Sequence, residues 1–202
     1  NLILLSENLD EIHWNDRLSL FNHSYHFPYL TTALWDTFPI YIQEPTDRDL
    51  REATYNGKYC TNIYKAQIGI DFIGRVLYFS GPHLGKSYDA HIWSNTYDYH
   101  PIYDWEYHLG DKHYSCLSNF ITSPKQPKGE HMTDYEYLQD GIVSHYRARV
   151  EHFNHRFNCH QIFQTKYRGS IQILNDIMHI TAQTTNIENY KYIKYEPYGP
   201  WD

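Results

Sequence analysis

Residues 31–43 read TTALWDTFPIYIQ, and one carboxylate, Asp36, stands in the middle of a run that otherwise has the composition of a buried strand. Ala33, Leu34 and Trp35 precede it and Phe38, Ile40 and Ile42 follow, which is too apolar and too short for an exposed helix. A buried carboxylate without a partner is costly, and such groups persist where they are paired or coordinate a metal. The stretch therefore asks for a cation near Asp36 and for further oxygen ligands elsewhere, and Asp111 and Glu151 are the candidates.

On the N-terminal side, residues 1–30 carry a short, imperfect helical stripe (Leu2, Leu5, Leu9, Ile12, Leu18) and read as a helix or two leading into the core. On the other side, 44–55 is charged and contains Pro45, which predicts a surface loop. Runs 64–70 and 76–80 alternate around Asp71-Phe-Ile-Gly74, a hairpin signal with Gly74 available for a positive φ. Residues 81–85 close it, and 87–96 open a helix with Ser87 as N-cap. Residues 107–110 form a short strand ending in Asp111, with Gly110 letting the backbone turn, and 123–129 a loop. From 141 to 160 the apolar residues Val143, Tyr146, Val150, Phe153 and Phe157 step at helical spacing, with Glu151 at the stripe's edge and Arg147 one turn earlier. A last helix spans about 170–184, and the aromatic segment from 186 reads as irregular.

Composition narrows the classes. A chain of 202 residues with 41% hydrophobic and 17% aromatic residues can bury a core and is not disordered. A net charge of −7 argues against a nucleic-acid surface over the whole chain. Residues 141–170 reverse the sign locally: Arg147, Arg149, Arg156, Lys166 and Arg168 against Glu151 alone, five minus one, give +4, a face suited to a phosphate backbone or simply a solvated one. Cys60, Cys116 and Cys159 have no paired spacing, which points to a reducing compartment and away from secretion, despite the Asn22-His-Ser24 sequon. No stretch is long and apolar enough to span a membrane. The absence of an initiator Met suggests that Asn1 is not the native start and that the chain is the C-terminal portion of something longer, which leaves open whether a DNA-binding module precedes it. His152, His155 and His160 lack zinc-site spacing, and no nucleophile elbow marks a serine or cysteine hydrolase.

A two-metal phosphoryl-transfer site needs carboxylates from separate elements converging on ions roughly 3.5–4 Å apart, and hard Mg²⁺ prefers oxygen ligands. Asp36, Asp111 and Glu151 meet that need, although each has an ordinary alternative. Asp36 can be a strand-end cap, Asp111 an Asx turn, and Glu151 a surface partner of Arg147 worth about 0.3–0.5 kcal/mol.

The surrounding motifs separate these readings. Trp35-Asp-Thr-Phe-Pro-Ile40, the 65–81 hairpin, Gly85-Lys-Ser-Tyr-Asp-Ala-His91, Leu109-Gly-Asp-Lys-His-Tyr114, Thr122-Ser-Pro124 and Tyr146-Arg-Ala-Arg-Val-Glu151 resemble, in order, the catalytic domain of DDE transposases of the PIF/Harbinger type. The resemblance implies an α/β, RNase H-like fold, a mixed sheet flanked by helices. It divides the chain into an N-terminal helical or linker segment (1–30), a DDE nuclease domain (31–185) and an aromatic C-terminal tail (186–202). It makes Asp36, Asp111 and Glu151 the catalytic, metal-binding acids for two Mg²⁺ or Mn²⁺ ions. Arg147 and Asp89 support them; Arg149, Arg156, Lys166 and Arg168 are the candidates for DNA contact on the local charge balance above. It further implies phosphodiester cleavage with strand transfer, a nuclear setting, homo-oligomers and a separate Myb-like DNA-binding partner. The chain departs from the family pattern at Thr37-Phe38, where Gly-Thr is usual, at Tyr88 in place of His, and at Asn158 in place of Lys. These departures, with the acidic balance, leave a domesticated, non-catalytic scaffold as the alternative.

Overall fold

The computed structural model describes residues 14–18, 30–125, 129 and 131–193. Most of the N-terminal helical segment, the sequon at Asn22, positions 126–128 of the 123–129 loop and the tail beyond 193 lie outside the described residues.

Strand β1 (Leu30–Tyr41) is the centre of the molecule. Its side chains alternate between two apolar layers, as the pleat requires. Leu34, Phe38 and Ile40 enter one layer, and Ala33 and Trp35 the other. Asp36 shares parity with Leu34 and Phe38, so it points to the same side as they do.

Two strands follow as the hairpin, β3 (Thr61–Ile70) and β4 (Val76–Leu84), after a two-residue strand β2 (Tyr55–Asn56). At the hairpin's tip the Asp71 carboxylate accepts from the backbone N–H of Ile73 and Arg75 at 3.0 and 2.7 Å and from Arg75 Nε at 2.6 Å, while Gly74 takes φ +91°. Strands β5 (Glu106–Leu109) and β6 (Phe120–Ile121) complete the sheet, whose order is β2-β3-β1-β5-β6 with β4 on β3. Pairing is antiparallel between β1 and β3 and parallel between β1 and β5.

Among the described residues four helices flank this sheet: α1 (Arg48–Thr54), α2 (Asp89–Asn95), α3 (Asp134–Cys159) and α4 (Ile171–Ile193). Helices α3 and α4 cover the Asp36 face with Val143, Val150, Phe153, Phe157, Leu174 and Met178. Helix α2 covers the other face with Trp93, against Trp35, Leu77, Tyr114 and Phe120. A mixed six-stranded sheet between helices is the α/β, RNase H-like architecture expected.

Strand β4 runs on through 81–84, which were expected only to close the hairpin, and four helix boundaries also differ from the expectation. The 44–55 segment is not a loop: Asp47 accepts from Leu50 N at 2.8 Å and starts α1, whose only buried residue is Thr54, so it leaves no apolar period to read. Tyr88, not Ser87, is the N-cap of α2. Helix α3 begins at Asp134, not 141, because Thr133 and Glu136 form a reciprocal capping box. Helix α4 runs to Ile193, so the segment from 186 to 193 is helical rather than irregular.

Candidate active site

Strand β5 pairs with β1 only as far as Leu34, opposite Leu109. Beyond that point β1 runs on without β5 beside it, and Asp36 on β1 and Asp111 just past β5 flank the opening this leaves along the sheet. Such crevices at the carboxyl end of parallel strands are where α/β sheets present ligands.

Gly110 holds this exit together by close approach. A Cβ there would meet Tyr114 Cδ2 at 2.8 Å and Phe120 Cδ1 at 2.9 Å, and its φ is not among the positive ones. The glycine is required for packing under the stacked Tyr114 and Phe120 rings, whose centroids lie 4.7 Å apart, rather than for the turn the sequence suggested.

Asp36 is partly exposed, and its Oδ2 accepts from Asn154 Nδ2 at 2.8 Å. Burial pushes its carboxyl up to about 7, and the charge of Asp111 pushes the same way. The Thr37 N–H and the Arg147 guanidinium pull against them, and Asp89 adds a further upward push. Asp111 caps the short turn Lys112–Tyr114, accepting from His113 N at 2.8 Å. This is the Asx-type contact weighed from the sequence, and it leaves the carboxylate on the rim of the opening.

Helix α3 closes the site. At about 100° per residue, Asn154 and Glu151 fall about 20° and 40° to either side of Arg147, so one face carries all three. Glu151 is the outermost: its side chain is 64% exposed and lies 3.8 Å from Arg147 Nη2. Among the described residues no group of three or more His, Cys, Asp or Glu side chains is gathered tightly enough to hold a metal ion. The structure thus brings Asp36 and Asp111 into electrostatic contact and leaves Glu151 on the helix surface.

Asp89 is engaged on the α2 side of the sheet, where its Oδ1 accepts from Lys65 Nζ at 2.7 Å. Gln67 Nε2 donates to the Asp89 carbonyl at 3.2 Å and to Tyr114 Oη at 3.1 Å. Tyr114 is fully buried; desolvation, then the charges of Asp89, Asp36 and Asp111, raise its phenol well above the usual range.

The basic residues divide by position. Arg149 and Arg156 lie about 140–180° around the helix from Arg147 and Asn154, on the opposite flank of the buried stripe, and the Arg149 guanidinium sits 5.6 Å from the Tyr146 ring centroid. Lys166 donates to Thr61 Oγ1 at 3.2 Å and, with Arg48, Arg51 and Lys86, lines a cleft of about 560 Å³. Arg168 is exposed between α3 and α4.

Whether these side chains suit a divalent cation can be judged from their charge and donors. Asp36 is a carboxyl raised to about 7 by desolvation and by the charge of Asp111, both of which a bound cation would offset, and Asn154 Oδ1 is buried without a hydrogen-bond partner. Carboxylate and amide oxygens are the donors that Mg²⁺ and Mn²⁺ prefer, so the residues fit. Asn154, Lys65, Gln67 and Tyr114 were not found from the sequence as site residues. The signals available were the helical offset of Asn154 from Glu151 and the tyrosine of the Gly-Asp-x-x-Tyr motif.

Among the described residues no helix is long and apolar enough to cross a membrane. Comparison with curated proteins and with solved structures gave no match. A family model described as DDE superfamily endonuclease matches residues 35–186, more than half of the chain and all of the site. The chain therefore belongs to the DDE superfamily endonucleases.

Proposed function

We propose that the chain is the catalytic domain of a PIF/Harbinger-type transposase, a metal-dependent endonuclease that cleaves DNA phosphodiesters and joins the freed 3′-OH to target DNA. The observation that supports this is the pair Asp36 and Asp111 at the open edge of β1, with Asp36 raised to about 7 by burial and by its neighbour. In this reading Asp36 and Asp111 hold two Mg²⁺ or Mn²⁺ ions, and Glu151, released from Arg147, completes the set. When bound, such ions polarise the scissile phosphate, activate the attacking oxygen and stabilise the leaving oxygen. Arg147 offsets the acids' charge, and Lys65 keeps Asp89 in place below them. Arg149, Arg156, Lys166 and Arg168 serve the DNA backbone. A Myb-like partner, self-association and a nuclear setting belong to the same proposal.

The test is nicking of supercoiled plasmid by the purified chain with Mg²⁺ or Mn²⁺, beside Asp36→Asn and Asp111→Asn. The expected result is cleavage that requires the ion and disappears in both variants. One observation favours the second reading, a domesticated scaffold: Glu151 is 64% exposed and tied to Arg147, away from the other acids. A folded chain that neither cleaves DNA nor binds a divalent ion supports that reading instead.

A further inference from the structure

Asn154 stands closer to Asp36 than either expected acid does in hydrogen-bonding terms: its Nδ2 is 2.8 Å from Asp36 Oδ2, across the interface between α3 and β1. Ionised, as a carboxylate that ligates a metal must be, Asp36 only accepts, so the amide presents its N–H to it and turns its oxygen elsewhere. That oxygen, Oδ1, is buried and has no hydrogen-bond partner. A buried acceptor left unsatisfied costs about 1–3 kcal/mol, and native chains keep such atoms where a ligand, water or ion completes them. The backbone around it is well fixed, since Val150, Phe153 and Phe157 anchor the same helix in the core.

We infer that Asn154 is a positioning residue of the metal site: its amide N–H fixes the Asp36 carboxylate, and its buried carbonyl oxygen faces the divalent cation that Asp36 holds. This rests on the metal-dependent reading above and deepens it. It assigns to a neutral amide on α3 the fixed contact that was expected of Glu151. Partners that orient a metal ligand typically carry 10–100-fold of metal affinity, so the same range is expected of Asn154.

The test measures Mn²⁺ binding to the purified chain by electron paramagnetic resonance, without DNA and without turnover, for wild type, Asn154→Ala, Asn154→Leu, Asn154→Asp and Asp36→Asn. Circular dichroism establishes that each is folded. The alanine and leucine variants are expected to bind Mn²⁺ at least tenfold more weakly. Leucine fills the amide's volume, so a loss shared by both is not a packing defect. Aspartate restores an oxygen donor and is expected to return affinity to within a few-fold of wild type at pH 8. If Asp36→Asn abolishes binding while Asn154→Ala and Asn154→Leu stay within twofold of wild type, the inference about Asn154 is overturned and the metal reading stands. If wild type binds no Mn²⁺, both are overturned.

Discussion

Arg17 Nε lies 2.7 Å from Glu106 Oε1, and the two side chains are 3% and 0% exposed, so a short segment far upstream is fastened to the start of β5 by a fully buried ion pair. Arg17 Nη2 reaches Glu106 Oε2 at 2.8 Å, and Thr32 Oγ1 donates to Oε1 at 2.7 Å. Breaking one side of such a pair leaves a charge unpaired in the interior and costs about 3–5 kcal/mol. Arg17→Met is therefore expected to lower urea-unfolding stability by that amount. The double variant Arg17→Met, Glu106→Leu recovers most of the loss. A single variant within about 0.5 kcal/mol of wild type counts against a buried pair.

Asp36 gives a stability that depends on pH. Its folded carboxyl titrates near 7 against 3.8 for an ordinary Asp. The folded state then holds a proton that the unfolded chain has released, so the contribution is complete below about pH 4 and is lost as pH rises to about 7. In chelator at pH 8, Asp36→Asn is expected to be more stable than wild type by about 1 kcal/mol, or about 2–4 °C in Tm. At pH 4 the difference should close. Asp111→Asn removes a like charge and shifts the upper end of the window downward. Equal Tm differences at both pH values would show that Asp36 titrates normally.

Two buried histidines act in the opposite sense. Desolvation lowers His108 to about 3 and His100 to about 4, against 6.5 for a free imidazole. The unfolded chain binds protons from about 6.5 downward while the folded chain does not, so stability falls as pH drops from about 6.5 toward 4. His100 sits among Trp35, Tyr78 and Trp93 with ring centroids 4.9, 4.7 and 5.0 Å away, an apolar setting that a phenyl ring can share. His100→Phe is expected to shrink the Tm drop between pH 7 and pH 4.5. An unchanged drop means that the imidazole charges freely in the fold.

If the basic residues serve a phosphate backbone, each removes a condensed counterion on binding. Arg149→Ala and Arg156→Ala are each expected to reduce the slope of log K against log salt by about 1, uniformly across DNA sequences. Fluorescence anisotropy with a labelled duplex at several salt concentrations measures it. An unchanged slope assigns both arginines to the solvated helix surface.

Much of the fold was legible because burial leaves a period. The short apolar run on both sides of Asp36 marked β1, and the helical spacing of Val143 through Phe157 marked the buried part of α3. What escaped was structure held by polar contacts. Helix α1 buries only Thr54, and the first turns of α3 expose Tyr135, Tyr137 and Leu138, so neither shows an apolar stripe. The Thr133 and Glu136 capping box was present in the letters and is the signal that locates the helix start. In the site, Asp36 was readable as an acid within a buried strand and Asp111 as one at a strand end. Asn154 was not, because a search for metal ligands in sequence weighs carboxylates, and only geometry distinguishes an amide aimed at Asp36 from one in solvent.

The parity of β1 has a further outcome. The residues that fill the α3 layer and the carboxylate that faces the opening belong to one even-numbered series, Leu34, Asp36, Phe38 and Ile40. A slip of one residue against β3 would send Asp36 to the Trp93 side and expel Phe38 and Ile40 with it. Selection for a well-filled interior therefore preserves the aim of Asp36 even in descendants that no longer cut DNA. Such a chain loses its chemistry by exchange of side chains, while the scaffold that once aimed them stays in register.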